Sequence, residues 1–403
     1  MIAAIITIGS ELVNGMRVDT NSSFISRKLT EQAIDTKLAV SVPDCSDSIK
    51  KSLDFVFNSN FDFLFITGGL GPTHDDITRD IISTYFNEEL FFNKNVYKKI
   101  DSRYPSKNIC ESQALILNNS EPIINSTGTA TGIYYIYNNC KVFVMPGVPS
   151  EIESMLDNEI IPKYIPNKQK KEFRIIRTIG ASESIISDRL KKLIKRYSGI
   201  LEFAFLPSVG SVDLRISSKI DNCSFIDQVA DECYEILSPN SFIIGTDSIV
   251  DVVATYLNKN GLSISVAESC TGGLISKMLT DIPGSSAYFS GSVICYSNKS
   301  KIEELGVRNS LINDNGAVSE EVAESMANSI REKFGTDIGL SITGISGPSG
   351  GSKEKPVGLT YVAISANRFN KKFKYIVSGD RNMHRCSVAL RALNDLRVTF
   401  ESF

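Results

Sequence analysis

In the stretch SVAESCTGG, residues 265–273, an apolar run ends in Ser269, Cys270 and Thr271, and two glycines follow. A serine at a strand-to-helix turn lies beside the amides that open a helix. That is what acyl transfer needs: an attacking oxygen next to donors for an oxyanion. Helix capping is the competing role, since Ser and Thr accept from the first amides of many helices. Cys270 is intrinsically the stronger nucleophile, and a helix N-terminus lowers a thiol pKa. Strand alternation, however, turns residue 270 to the face opposite residue 269, so only one of the two faces a ligand. Small free cysteines usually pack as hydrophobes, which assigns Cys270 to the interior. A serine hydroxyl also requires an adjacent base. The chain has two histidines, His74 and His384, and only His384, in GDRNMHRC, belongs to this part of it. CYSNKSKIEELG supplies the other bases, Tyr296 at a strand end with Lys299 and Lys301 just after it. A lysine acting as base near neutrality needs its pKa lowered by roughly 2 to 3 units from about 10.4. Burial would do this, helped by a neighbouring cation such as Arg381 or Arg385.

A second constellation lies near the N-terminus. TGGLGPTHDDITRD places Gly68, Gly69 and Gly71 between a strand and a helix whose first turn carries Asp75, Asp76 and Thr78. Amides at such a turn bind phosphate, because nothing blocks close approach and the helix dipole favours an anion. No Gly-Lys-Ser/Thr follows, so this is not a P-loop. Adjacent aspartates beside a phosphate cradle suit a hard divalent cation bridging carboxylate and phosphate oxygens. They would equally complement the helix dipole, and spacing leaves both roles open. Glu11 in IGSELVNG and Glu151 in PGVPSEIE also follow strand ends, so three turns converge on one sheet edge. Asp19 and Asn21, in VDTNS, read as capping residues.

These residues need a scaffold that brings strand ends together. Over residues 1–168, short β-rich runs (IAAIITIG, KLAVSVP, FLFITGG, KVFVMPG) alternate with helical patterns. That predicts βαβ crossovers and a largely parallel sheet covered on both faces, with ligands where strands end. Residues 169–247 read as one βαββαβ unit of ferredoxin-like type, without a phosphate turn, in the role of spacer or dimerisation module. Residues 248–403 are α/β again. Three late strands with no helices between them (DIGLSITG, VGLTYVAIS, KKFKYIVSG) imply a mixed sheet. The 403 residues, 42% hydrophobic and 22% charged, suffice for more than one core. A net charge of -3 offers no basic stripe for DNA or RNA. No stretch approaches the roughly 18 apolar residues of a membrane span, and the start lacks the marks of a signal peptide, so a cytoplasmic protein is expected. The eight cysteines (Cys45, Cys110, Cys140, Cys223, Cys233, Cys270, Cys295, Cys386) are scattered without C-x-x-C. They read as reduced, mostly buried thiols, with neither a zinc site nor a disulfide framework.

TGGLGPTHDDIT, with PGVPSE downstream, resembles the molybdopterin-binding-type domain of the CinA (competence/damage-inducible) family, and the segment order of the whole chain is similar to its full-length members. The resemblance implies a three-layer N-terminal domain associated with a metal-dependent ADP-ribose pyrophosphatase. It implies Gly68, Gly69 and Gly71 on the pyrophosphate, and Asp75, Asp76, Thr78, Glu11 and Glu151 around a divalent metal such as Mg²⁺. Over most of residues 248–403, AESCTGG, YSNKSK, GAVSEEVA, TGISGPSGG, PVGLTYVAI and GDR resemble the family's nicotinamide-nucleotide amidohydrolase domain. That domain's reaction is deamidation of nicotinamide mononucleotide to nicotinate mononucleotide and ammonia, with no cofactor. The resemblance implies Ser269 as nucleophile, Lys301 as its base and Tyr296 as proton relay. Thr271, Gly272, Gly273, Gly344, Gly347, Arg381 and Arg385 are then the substrate contacts, and a homodimer is implied. Two positions depart from the family pattern: Ser349 where an aspartate is usual, and Ser292 where a second glycine is usual. A ligand-binding or competence-associated protein with one or both sites inactive is the reading of a different class, and turnover separates the two.

Overall fold

The computed structural model describes residues 1–104, 111–165, 172–218 and 225–400; Cys110 and Cys223 lie outside the described residues. The chain divides into two compact units, Met1–Lys171 and Glu172–Phe403. Among the described residues no helix is long and apolar enough to cross a membrane.

The first unit contains β1 (Ile2–Ile8), β2 (Asp35–Val42), β3 (Phe63–Thr67), β4 (Leu90–Phe92), β5 (Leu115–Leu117), β6 (Glu121–Ile123), β7 (Gly132–Tyr137) and β8 (Cys140–Met145). Six of them form one sheet in the order β2-β1-β3-β8-β7-β6. The strands β2, β1, β3 and β8 run parallel, and β7 and β6 add antiparallel. β3, FLFIT, is buried at every residue, as a strand covered on both faces must be. Alternation along β1 feeds two cores. Ala4 and Ile6 pack with Ile49, Leu53 and Ile82 of the helices Ser46–Phe57 and Thr78–Phe86. Ala3 and Ile5 pack with Ile25, Leu29 and Met155 of the helices Thr20–Glu31 and Pro149–Met155. The result is three layers, helix, sheet and helix. β7 and β8 join through Asn138 and Asn139, both at positive φ (47° and 65°), as a two-residue hairpin turn requires.

The second unit opens with β9 (Phe173–Thr178), β10 (Leu201–Ser208), β11 (Ser211–Ser218) and β12 (Ser241–Ile244), in the order β10-β11-β9-β12 with every neighbouring pair antiparallel. Helices Glu183–Tyr197 and Ile226–Leu237 bury Ile186, Leu190, Val229 and Cys233 against this ferredoxin-like sheet. There follow β13 (Ile264–Glu268), β14 (Phe289–Ile294), β15 (Ile338–Gly344), β16 (Leu359–Ala366) and β17 (Phe369–Ile376), in the order β14-β13-β15-β16-β17. β13 is parallel to β14 and β15, whereas β15, β16 and β17 run antiparallel in succession, so the sheet is mixed. The helices Ile249–Asn260 and Arg381–Thr399 pack on one face, and Glu320–Phe334 on the other. The carboxyl ends of β13, β14 and β15 therefore open on a common edge, the usual place for a ligand in such a sheet.

Candidate active sites

Ser269 follows β13 directly, and its amide donates to Ile342 O of β15 at 3.0 Å, which fixes the residue at the strand end. Lys301, in the helix Asn298–Leu305, reaches the same point: its Nζ donates to Ser269 Oγ at 3.0 Å and to Cys295 O at 2.8 Å. The lysine is 1% exposed, and among the described residues no carboxylate pairs with it. Burial holds its pKa below the ordinary lysine value. Arg381 and Arg385 take no part in that shift. Arg385 donates through Nε and Nη2 to Thr271 O, at 3.3 and 2.7 Å. Arg381 donates to Gly347 O at 2.9 Å and to the Tyr296 hydroxyl at 2.5 Å. Both guanidiniums thus brace loops around the serine. Lys299 is a solvated helix residue near Glu303.

The structure brings Ser269 and Lys301 together and leaves Tyr296 outside the pair. Tyr296 is 57% exposed, and the hydrogen bond of its hydroxyl is with Arg381, because β14 ends at the solvent side of the sheet edge. Cys270 turns into the hydrophobic core beside Val266 and Ile342, where burial pushes its thiol up to about 12. His384 is also buried, with Nδ1 at 2.9 Å from Ser346 Oγ and Nε2 at 3.0 Å from Thr360 Oγ1. Burial lowers its pKa. It anchors the Ser346 loop and has no hydrogen bond to Ser269.

The turn after Ser269 differs from the expected open helix start. The helix begins at Leu274 behind Gly272 and Gly273, at φ +61° and +93°. The amides of Gly273, Ile275 and Ser276 donate to the Glu268 carboxylate at 2.9, 3.2 and 2.8 Å. These amides are therefore not free for an oxyanion, and neither Ser269 nor Thr271 caps the helix. Among the described residues, the amides of this turn without an oxygen acceptor are those of Cys270, Thr271 and Leu274, and the first two lie against the Cys270 sulfur. The Thr271 hydroxyl is buried and has no hydrogen-bond partner. Gly344 is demanded by packing, since a Cβ there would lie 2.6 Å from Thr360 Oγ1 and 3.1 Å from Cys270 Sγ. Gly347, at φ +72°, presents its carbonyl to Arg381. Ser349 is exposed on the same loop, and Ser292 pairs with Val266 across β14 and β13.

In the first unit, a cleft of about 830 Å³ is lined by Gly68, Gly69, Gly71, Glu11, Asp44, Asp75, Asp76, Glu151 and Arg17, among others. The glycine turn is tight: a Cβ on Gly68, at φ +100°, would stand 2.1 Å from Ile8 O. Asp75 and Asp76 lie in the turn before the helix Thr78–Phe86, not in its first turn. Asp76 accepts from the Thr73 amide at 3.0 Å and from its hydroxyl. Asp75 sits in solvent, 3.0 Å from His74. Thr78 does not line the cleft; it is buried and its hydroxyl donates to Gly68 O at 2.9 Å, clasping the turn from beneath. Glu151 accepts from Asn125 at 2.7 Å. Asp19 caps the helix Thr20–Glu31, and Asn21 donates to Gly147 O at 2.9 Å. The site residues expected from the sequence do not include Asp44 and Arg17. Asp44 follows the end of β2 and accepts from the Ser10 amide at 2.8 Å, so the strand-end rule that found Glu11 and Glu151 would have found it. Among the described residues no three His, Cys, Asp or Glu side chains cage a metal ion. The anionic donors round the cleft are carboxylate oxygens, which suits a hard cation held by one or two of them together with substrate oxygens. The six described cysteines are free, with Cys45 exposed and Cys386 half-buried.

Three family models match the chain: a molybdopterin binding domain over residues 4–165, the damage-inducible protein CinA KH domain over 173–239, and the CinA C-terminal domain over 246–400. A CinA-like protein of Dictyoglomus thermophilum is 36% identical, over 98% of each chain. A relative from Halothermothrix orenii, described as competence-damage inducible, is 39% identical over 96% of this chain and 95% of its own. The crystal structure of a competence or damage-inducible protein from Enterobacter asburiae is 27% identical; the match covers 38% of this chain and 99% of that one, with a TM-score of 0.37.

Proposed function

The chain belongs to the CinA family, and from that premise we propose that it is a nucleotide hydrolase with two sites, an amidase for nicotinamide mononucleotide in the second unit and a metal-dependent ADP-ribose pyrophosphatase in the first. The observation that carries the amidase reading is the buried Lys301 ammonium donating to Ser269 Oγ at 3.0 Å with no carboxylate partner among the described residues. In its neutral form this lysine takes the serine proton as Oγ attacks the carboxamide carbon. The turn amides without an oxygen acceptor, those of Cys270, Thr271 and Leu274, are the donors that would serve the oxyanion. Lys301 then returns the proton to the amide nitrogen, the C–N bond breaks and ammonia leaves. Water attacks the resulting ester with Lys301 again as base, releasing the carboxylic acid and regenerating Ser269. Gly272, Gly273, Gly344 and Gly347 keep the loops close to the substrate, and Arg381 and Arg385 hold those loops in place. No cofactor enters this reaction.

In the first unit Gly68, Gly69 and Gly71 offer backbone to a pyrophosphate, while Asp76, Asp75, Glu11, Glu151 and Asp44 are the residues that would hold a divalent cation. When bound, such a cation neutralises phosphate oxygens and makes water a better nucleophile. The same reading makes the two nucleotides the partners of a cytoplasmic homodimer, with neither nucleic acid nor membrane engaged.

A screen of nucleotides with and without Mg²⁺ and chelator tests this. Ammonia release from nicotinamide mononucleotide should survive chelation, whereas cleavage of ADP-ribose to AMP and ribose 5-phosphate should require the metal. Tight nucleotide binding without release of either product would instead mark a ligand-binding protein.

A further inference from the structure

We propose that Glu268 is the positioning residue of the amidase site, its side chain fixing the turn that carries Ser269 and its backbone fixing the segment that carries Lys301. The inference rests on the Ser269–Lys301 reading above, but concerns what holds the two groups in register.

Glu268 ends β13 and is 0% exposed. Among the described residues no lysine, arginine or histidine pairs with it. Its partners are four donors on the far side of the serine turn: Oε2 accepts from the Gly273 and Ile275 amides, at 2.9 and 3.2 Å, and Oε1 from the Ser276 amide and hydroxyl, at 2.8 and 2.6 Å. A buried carboxylate is tolerable only with such a set, and charge-assisted bonds of this kind are the strong ones. A helix is ordinarily capped by the residue just before it. Here the N-cap is Gly273, which has no side chain, and the cap comes from the end of the preceding strand. The chain thus leaves Glu268, passes through Ser269–Gly273 and returns to the Glu268 side chain. Inside the loop the Gly272 amide donates to Ser269 O at 3.2 Å. The nucleophile sits on a closed ring.

The backbone of Glu268 makes the second connection. Its carbonyl accepts from the Cys295 amide at 2.8 Å, Cys295 O accepts from Lys301 Nζ at 2.8 Å, and Lys301 Nζ donates to Ser269 Oγ at 3.0 Å. Serine and lysine are both referred to one residue. Glutamine in its place offers a single acceptor oxygen and turns an NH₂ group toward amide donors, which loosens the ring while preserving the volume.

The test uses the full-length protein and a fluorophosphonate, which needs no nicotinamide group. Ser269 Oγ forms a bond to phosphorus as fluoride leaves, with the proton passing to Lys301, and mass spectrometry follows the label. In folded Glu268→Gln, the labelling rate and kcat for nicotinamide mononucleotide should fall about 30-fold or more while KM stays within about threefold, because misplacement of reacting groups costs rate and not binding. Glu268→Asp should recover part of the rate. Ser276→Ala, which deletes one of the four bonds, should slow labelling about fivefold. Labelling within twofold of the parent in folded Glu268→Gln, or in Ser276→Ala where the glutamine variant does not fold, overturns the proposal. A parent protein that labels at Ser269 yet releases no ammonia overturns the substrate reading and leaves this one standing. No label at Ser269 in the parent overturns both.

Discussion

A lysine withdrawn from water beside a serine hydroxyl behaves unlike a surface lysine, and the pH profile should report it. Lys301 accepts a proton only when neutral, and burial moves its pKa below the ordinary value, so kcat/KM should rise with pH through that lowered pKa. Ser269→Ala and Lys301→Ala should each lower kcat by about a thousandfold or more, and the double variant should be little worse than either, as for groups acting as one unit. Cys270→Ser should keep most of the activity and iodoacetamide should not inactivate, since a thiol raised to about 12 in the core supplies almost no thiolate. A dead Cys270→Ser beside an active Ser269→Ala would reverse the assignment. The contrast between these residues also shows what a sequence discloses at this scale. Residue type and strand alternation, which are local, separate Ser269 from Cys270, whereas the choice of Lys301 over Lys299 rests on the family resemblance of YSNKSK. The partner of Tyr296 is Arg381, 85 positions away, and no local pattern encodes that pairing. Glu268 is hidden for a similar reason: at the end of a buried strand its signal in the sequence is being charged where its neighbours are not.

Among the elements, the helix Arg381–Thr399 does the most work in the second unit. Its first turns hold the site loops through Arg381, His384 and Arg385, and further along Arg391 and Arg397 donate to Gly180 O and Pro239 O of the ferredoxin-like segment, at 2.9 and 2.8 Å. Between them Asp395 is buried, accepting from the Tyr375 hydroxyl at 2.5 Å through one oxygen and, among the described residues, from nothing through the other. Burial raises its pKa to about 7. A raised carboxyl binds its proton more tightly folded than unfolded, so its stabilising contribution is full below the unfolded value near 4 and is lost as pH rises through about 7. Thermal unfolding followed by circular dichroism should show Tm falling by about 5 °C between pH 6 and 8, and Asp395→Asn should flatten that slope. An unchanged slope would leave Asp395 ionised in the fold. The loop this helix clamps carries Ser349, at a position where the family resemblance implies a carboxylate. Ser349→Asp should lower KM for the nucleotide with kcat little changed, the signature of added uniform binding, and an unchanged KM removes the idea. Elements with a clear local signature, such as the continuous apolar run of β3 and the helical period of Glu183–Tyr197, are legible in the sequence. The three-residue strands β4, β5 and β6 are not, being too short to show a period, and the signal for β7 is the Asn138-Asn139 pair of its hairpin. The helix starts at Thr78, later than the sequence suggests, because Asp75 and Asp76 look like first-turn acids while belonging to the glycine turn.

For the whole molecule, one site in each compact unit means that each activity should be removable without the other. Among its lining residues the cleft of the first unit sets the carboxylates of Glu11, Asp44, Asp75, Asp76 and Glu151 against the single guanidinium of Arg17, so a pyrophosphate entering without a cation meets a net negative charge. Cleavage there should therefore be lost on chelation and restored by Mg²⁺. Asp76 is the sharpest probe of the arrangement, but Asp76→Ala also removes the acceptor for the Thr73 amide and so disturbs the turn as well as the charge. Asp76→Asn keeps an oxygen for that amide and deletes only the charge. Both variants should lower metal-dependent ADP-ribose cleavage by about a hundredfold or more, with deamidation of nicotinamide mononucleotide within twofold of the parent, since a lost cation contact acts on the transition state of one reaction alone. Ser269→Ala should show the reverse pattern in paired assays on the same preparations. If Asp76→Ala is inactive and Asp76→Asn retains full cleavage, the aspartate serves the turn and the cation is held by the remaining carboxylates; loss of both activities in either variant would contradict separate sites.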